Sequence, residues 1–571
     1  MFLNARTTFL MLPFFLIYTG IVAQPLFTSK KTYSLQDTLA GSITPERSWW
    51  NVVMYKLQIE PDLKKFSISG TNRILFEVVS QPVARMQIDL QEPMRIDRIL
   101  LNQEPVQYIR QGNLYYLELS EQQVQQMTRT FRNQTKEIQE IEISFQGIPK
   151  SAVNPPWDGG LVWKMDKNKN PWIGVSCQGE GASLWWPCKD HPSDEPDSTF
   201  ISVITPDTLM NVSNGRLRSS QKIENSKMQW NWAVTYPINI YNITLNIGKY
   251  THFSDTLHGE NGLLDLDYFV LEYNLDKAKE QFKQVKPMLR IFEYWMGPYP
   301  FYKDGYKLVE TFYLGMEHQS AIAYGNQYKN GYLGRDYSGS GWGKDWDYII
   351  IHESGHEWFG NHLSCKDVAD LWLHEGFTTY TEALYVSSVY GSKASQEYIQ
   401  SHHSSIQNDV PLLGDYNVKK EGSSDMYSKG AALIHMIRTL VQNDSLFREI
   451  LRKMQATYGM KQTTSTEIEN FLSRESGLSL KGMFDQYLRT IQIPALEYRI
   501  KKEKGRFVLY YKWSNCIPKL EMPILLPLRN GQYQTQKATT SWKSLSTDFS
   551  SAEEIEKQLN PNFYVVYKKS L

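Results

Sequence analysis

Five residues, His352-Glu353-Ser-Gly-His356, constrain what this chain can become more than any other stretch. Histidines four positions apart on a helix project from one face and can grip a single metal ion. Neutral imidazole suits Zn²⁺, which prefers tetrahedral nitrogen, oxygen or sulfur ligands. Glu353 adjoins the first histidine, so it can reach the open coordination position and take a proton from water that the metal acidifies. The bland alternative is a helix carrying two solvated or core histidines. A further carboxylate weighs against it. Glu375 follows His356 by nineteen residues, within Asp370-Leu-Trp-Leu-His-Glu375-Gly-Phe. It supplies the third protein ligand of a two-histidine, one-glutamate site and leaves the fourth position to water. Glu382, seven residues on, falls on the same helical face and can orient a ligand histidine, a surface glutamate being the other reading.

At 571 residues the chain exceeds one ordinary domain. Its 41% hydrophobic and 21% charged residues describe a globular protein. Lysine plus arginine equals aspartate plus glutamate at 61 each, so the basic excess that a nucleic-acid or membrane-surface binder needs is missing. The four cysteines, Cys177, Cys188, Cys365 and Cys516, form no CxxC pair, which argues against a cysteine zinc knuckle. Cys177 and Cys188 read as buried thiols, with pairing in an oxidising compartment left open.

Arg6 precedes an apolar run from Phe9 to Ala23 that contains Pro13. Residues 1–23 therefore read as a secretory signal peptide, the alternative being an uncleaved anchor. The expectation is an exported protein, periplasmic or extracellular, with no stable membrane insertion after signal cleavage. Residues 24–45 are polar and show little pattern, and read as a loose leader. From 46 to 272 period-two alternation dominates, as in Tyr55-Lys-Leu-Gln-Ile-Glu and Ile238-Asn-Ile-Tyr-Asn-Ile-Thr-Leu-Asn-Ile, which predicts an all-β domain. Helical spacing governs 273–492, including Lys429 to Gln442 and Leu446 to Tyr458. Alternation returns in 493–571, in Leu496-Glu-Tyr-Arg-Ile-Lys, and predicts a small closing β domain.

Gly315-Met316-Glu317-His-Gln, the zinc pattern with its glutamate nineteen residues on, and Tyr427-Ser-Lys-Gly-Ala follow one another in this order. In these motifs the chain resembles the aminopeptidase N and leukotriene hydrolase family of zinc metallopeptidases, the gluzincin aminopeptidases, from about Trp49 onward. The resemblance implies a multidomain α+β fold: an N-terminal all-β saddle-like domain, a thermolysin-like, mainly helical catalytic domain, and a small C-terminal β-sandwich. It also implies one Zn²⁺ per chain and peptides with a free amino terminus as substrates. Glu317, with Gly315 and Met316 beside it, would hold the substrate α-ammonium. A partly desolvated carboxylate makes that contact strongly and disfavours an acylated amine. Cys177-Gln178-Gly179-Glu180 is similar to the family's amine-binding strand. On an extended segment Gln178 and Glu180 would face one cleft, Glu180 as a second carboxylate and Gln178 as its hydrogen-bonding neighbour. Tyr427 matches the tyrosine that donates to the oxyanion, with Glu353 as general base.

Some positions depart from the family pattern. His318 and His374 stand where Asn is common, and Glu357 where Gln is usual. Many relatives add a large helical domain after the small β domain, so a more open cleft is expected here. A zinc endopeptidase would share the metal site but gives no reason for Gly315-Met-Glu317. A catalytically dead binding homologue would not need Glu353, Tyr427 and all three ligands. Epoxide opening, known in the leukotriene branch, is disfavoured because Lys419 to Ser424 do not reproduce that branch's special residues.

Overall fold

The computed structural model describes residues 33–570, so the signal-peptide reading of 1–23 lies outside the described residues. The amino-terminal β region is built on an eight-stranded sheet. At its centre Trp50–Asp62 pairs antiparallel with Ser67–Val78 and parallel with Ser198–Pro206, in the register Met54 opposite Ser198. Alternation in the sequence becomes alternation in burial: Tyr55, Leu57 and Ile59 point into the core while Lys56 and Gln58 face solvent. A three-stranded and a four-stranded sheet complete this part.

The mainly helical part carries the site. Its central helix, Trp372–Tyr390, is buried continuously from Trp372 to Val386, so that Glu375 and Glu382 lie inside the protein among its apolar residues. It packs against the helices Tyr348–Gly355, Ser392–His402 and Ser428–Val441. Helices Ser428–Val441 and Asp444–Tyr458 correspond to the predicted segments within two residues at each end. The closing β part has a four-stranded and a two-stranded sheet, joined where Trp513 Nε1 donates to the Met522 carbonyl at 3.1 Å. Among the described residues no helix is long and apolar enough to cross a membrane, and all four cysteines are free.

Two sequence expectations need correction, and one hairpin of the β region joins a sheet that its alternation did not specify. Tyr250–Gly259 and Gly262–Leu271 have the texture of the β region, yet Leu266 pairs parallel with Tyr306 in a five-stranded sheet that runs on to Gly315–Met316. The run from Ile238 to Ile247 is not one strand: Ile240–Asn242 makes a 3₁₀ turn and only Leu245–Gly248 is extended. Finally, residues 34–45 are not loose. Ser34 opens a capping box on the helix Leu35–Gly41, and Pro45–Ser48 adds another turn of helix. Tertiary contacts order this segment, chiefly those of the buried Arg47, and a search for hydrophobic periodicity cannot register them.

Candidate active site

Asp347 caps the helix Tyr348–Gly355 by accepting from the Ile349 and Ile350 amides. His352 lies in its last turn and His356 continues it in helical geometry, so the two rings stand 5.0 Å apart. Each ring has one nitrogen engaged. His352 Nδ1 lies 2.7 Å from Glu382 Oε1, and His356 Nδ1 lies 3.0 Å from the Phe359 carbonyl and 3.1 Å from Thr378 Oγ1. Acceptors at Nδ1 place the proton there and leave both Nε2 lone pairs free. Those Nε2 atoms face Glu375 Oε2, at 3.8 Å from His352 and 3.3 Å from His356.

Glu375 Oε1 accepts from Gln178 Nε2 at 2.9 Å, whereas Oε2 is buried with no hydrogen-bond partner. A buried orphaned carboxylate oxygen is costly unless something of opposite charge meets it. Two imidazole lone pairs and this oxygen, all within 4.8 Å of one another, are the donor set that Zn²⁺ takes. The residues fit the ion. The pocket also favours positive charge: burial lowers an imidazole, yet Glu375 and Glu317 carry His356 up to about 9. Burial raises the Glu375 carboxyl in turn, but His356 and His352 outweigh it and hold it far below the usual carboxylate range.

Glu382 completes this arrangement from below. One oxygen holds His352 and the other accepts from the Tyr398 hydroxyl. We expect Glu382→Ala to weaken zinc affinity by about 10–100-fold, measured by competition with a chelator, with the fold retained.

Glu353 lies beside the ligands and is 7% exposed. Burial pushes its carboxyl up to about 7, Glu317 and Glu375 adding to the rise and the two imidazoles opposing it. Gly315 is what admits it, because a Cβ at that position would sit 2.4 Å from Glu353 Oε1. Gly315–Met316 is also the edge strand of the five-stranded sheet, so it sets the position of the next residue, Glu317. Glu317 is buried, accepts from the Tyr241 hydroxyl at 3.0 Å, and has a carboxylate oxygen within 4.8 Å of donor atoms of Glu353 and His356. Burial raises its carboxyl as well. Tyr427 starts the helix Ser428–Val441 and stacks on His352 at 6.1 Å. Burial, then the carboxylates of Glu375, Glu317, Glu421 and Glu353, push its phenol well up, so it stays a hydrogen-bond donor.

The segment at 178–180 differs from the extended reading. The preceding strand stops at Ser176, and Gly179, with φ +75°, turns the chain. Both residues still line the cleft, but Gln178 holds the third ligand, and Glu180 pairs with Lys150 at 2.9 Å with its side chain 42% exposed. The carboxylate that faces the zinc ligands is Glu317. The three departures are all buried. Glu357 accepts from the Ser320 amide and the Tyr299 hydroxyl and so fixes the loop after Glu317, its carboxyl pushed by burial up to about 8. His374 accepts from the Cys365 amide, and His318 has no partner on either ring nitrogen.

Sequence reasoning missed Tyr241, which reaches Glu317 from the amino-terminal β region, and Asn242, whose amide donates to Asn361 at 2.6 Å. Asn361 in turn holds the Glu317 carbonyl at 2.8 Å. No local pattern marks these residues. His352, Glu353, His356, Glu375, Glu317 and Tyr427 line a cleft of about 580 Å³, in the size range of small-ligand sites.

Comparison with known proteins matches two family models to this chain. The Peptidase M1 N-terminal domain covers residues 52–241 and the Peptidase family M1 domain covers 273–487. Probable aminopeptidase 2 of Sulfurisphaera tokodaii is 23% identical over 70% of this chain and 52% of its own length. Tricorn protease-interacting factor F2 of Thermoplasma acidophilum is 22% identical over 80% of this chain and 55% of its own. The chain thus spans about half the length of these curated relatives. Among solved structures, an M1 zinc metallopeptidase mutant from Deinococcus radiodurans bound to a Tyr-Ser-Ala substrate superposes with a TM-score of 0.62 at 17% identity. That match covers 78% of this chain and 95% of the other. A two-domain M1 zinc metallopeptidase mutant bound to L-tryptophan gives 0.62 at 18% identity, over 75% and 91%. At such identities the likeness establishes the α+β fold.

Proposed function

Because the chain belongs to peptidase family M1, we propose that it is a zinc-dependent aminopeptidase that removes single residues from peptides with a free amino terminus. One observation carries the reading: the buried Glu317 carboxylate meets Glu353 and His356 within 4.8 Å. A carboxylate there binds an ammonium group, and the short distance to Glu353 leaves room for one residue, about 3.8 Å of backbone, before the bond to be cut.

A Zn²⁺ held by His352, His356 and Glu375 supplies Lewis acidity to the scissile carbonyl and to water. Glu353 takes the water proton and returns it to the leaving amine. Tyr427 donates to the oxyanion formed at the carbonyl. Glu317, with Tyr241 steadying one of its oxygens, anchors the amino end. Gln178 orients Glu375, and Glu382 orients His352.

The test is hydrolysis of one peptide in two forms, free and N-acetylated, with and without a zinc chelator. Chelator-sensitive release of single residues from the free form alone is expected. Internal cleavage of both forms would make the protein an endopeptidase, and no cleavage of varied peptides would make it a binding protein. In the same assay Glu317→Ala should lower kcat/KM for the free peptide by about 10–100-fold, the worth of a hydrogen bond to a charged group. The apolar run before Gln24 supports export, so the peptide pool lies outside the cytoplasm. Sequencing the mature amino terminus from a fractionated host checks this, and a protein retained in the cytoplasm with Met1 intact would refute it.

A further inference from the structure

Residues 33–48 precede both family matches, yet they touch the cleft wall. The geometry points to a strap: this segment positions the Asp415–Glu421 loop and, through it, the Gln178–Gly181 turn. The inference rests on the aminopeptidase reading only for its kinetic consequence.

Several bonds tie strap to loop. The Lys419 amide donates to the Asp37 carbonyl at 3.1 Å, Ser42 Oγ donates to the Asn417 carbonyl at 3.0 Å, and the Tyr33 hydroxyl donates to Asp415. Gly41 lies so close that a Cβ there would stand 2.2 Å from the Val418 carbonyl carbon and 2.3 Å from the Lys419 amide nitrogen. Arg47, fully buried, holds the strap in shape by donating to the Ala40 and Ser42 carbonyls at 2.7 and 3.0 Å and to Asp89 at 2.6 Å. The same Asp89 oxygen accepts from the Asp190 amide, and the Asp190 carboxylate pairs with Lys419 Nζ at 2.8 Å. A ring of contacts therefore closes through strap, β region and loop.

That ring borders the site on two sides. Lys419, Lys420 and Glu421 line the cleft. The Asp190–Lys419 pair sits directly under Gly181, where an added Cβ would lie 2.1 Å from Asp190 Oδ2 and 2.3 Å from Lys419 Nζ. Gly181 closes the turn that presents Gln178 to Glu375, its amide donating to the Cys177 carbonyl at 2.8 Å. Arg47 and Gly41 touch no zinc ligand, so they are positioning residues.

Gly41→Ala tests the strap because it pries strap from loop while removing no charge and no side-chain hydrogen bond. Hydrogen exchange of the purified variant should quicken in 415–421 and 178–184, with zinc content unchanged. KM for a free peptide should rise at least about tenfold with kcat within about threefold, a shift of about 1.4 kcal/mol in binding. Should Gly41→Ala fold poorly, the double variant Y33F/S42A, which removes the two side-chain hydrogen bonds from strap to loop and leaves the Ser34 capping box in place, should show the same pattern at smaller amplitude. Unchanged exchange in both segments of a folded variant overturns the strap. Faster exchange with an unchanged KM also overturns it, because the contacts would then serve stability alone. If the wild-type chain cleaves no peptide, the aminopeptidase reading fails, while the exchange measurement still decides whether the strap holds the loop.

Discussion

Glu353→Gln lowers kcat by about 10²–10⁴-fold, the contribution usual for a positioned general base, and leaves the zinc content at the wild-type level. The two halves of this expectation come from separate parts of the geometry. In the proposed site His352, His356 and Glu375 would hold the zinc, and their donor atoms meet without Glu353, so the amide variant keeps that ligand set. Glutamine matches glutamate in size and fits the space that Gly315 leaves open, where a side chain would collide with Glu353 Oε1. It cannot accept the water proton. Steady-state release of single residues, together with metal analysis of the same preparation, reads both halves. A variant with full zinc and a kcat within tenfold of wild type would remove Glu353 from the role of base. A variant without zinc would mean that Glu353 helps hold the ion, through the second cluster it forms with Glu317 and His356.

The metal site could be read from the sequence because its spacing depends on little beyond helix geometry. His352 and His356 need one turn of one helix, and Glu375 and Glu382 need two turns of another; that the two helices pack together comes from the resemblance of the whole pattern to the family and not from spacing. The part that failed depends on single backbone angles or on distant chain segments. Gln178 and Glu180 both line the cleft, but on a turn at Gly179, with its positive φ, and not on a strand, and Glu180 pairs there with Lys150. Tyr241 and Glu317 are 76 residues apart and belong to different predicted domains, so nothing local announces their hydrogen bond. The hairpin Tyr250–Leu271 alternates like its predecessors, and alternation does not say which sheet a strand will join. Residues 34–48 show no period because hydrogen bonds order them, those of the buried Arg47, the Ser34 capping box and the contacts of Asp37 and Ser42 with the loop.

Tyr427→Phe lowers kcat by about 10²–10³-fold and leaves KM nearly unchanged, the signature of a donor used only when negative charge develops. The substitution is conservative for packing. The ring stacks against His352 at 6.1 Å with the planes 25° apart, and phenylalanine keeps that contact. Only the hydroxyl is lost. Its protonation state adds a sharper test. Burial and four neighbouring carboxylates push the Tyr427 phenol well above its ordinary value of 10, so it remains protonated throughout the working range. Removing a group that does not titrate scales the pH–rate profile down without moving either limb. A profile measured from pH 5 to 9.5 on both proteins separates the two possible roles. Parallel curves identify Tyr427 as an oxyanion donor, whereas loss of an alkaline limb in the variant would identify it as an acid that gives up its proton during turnover.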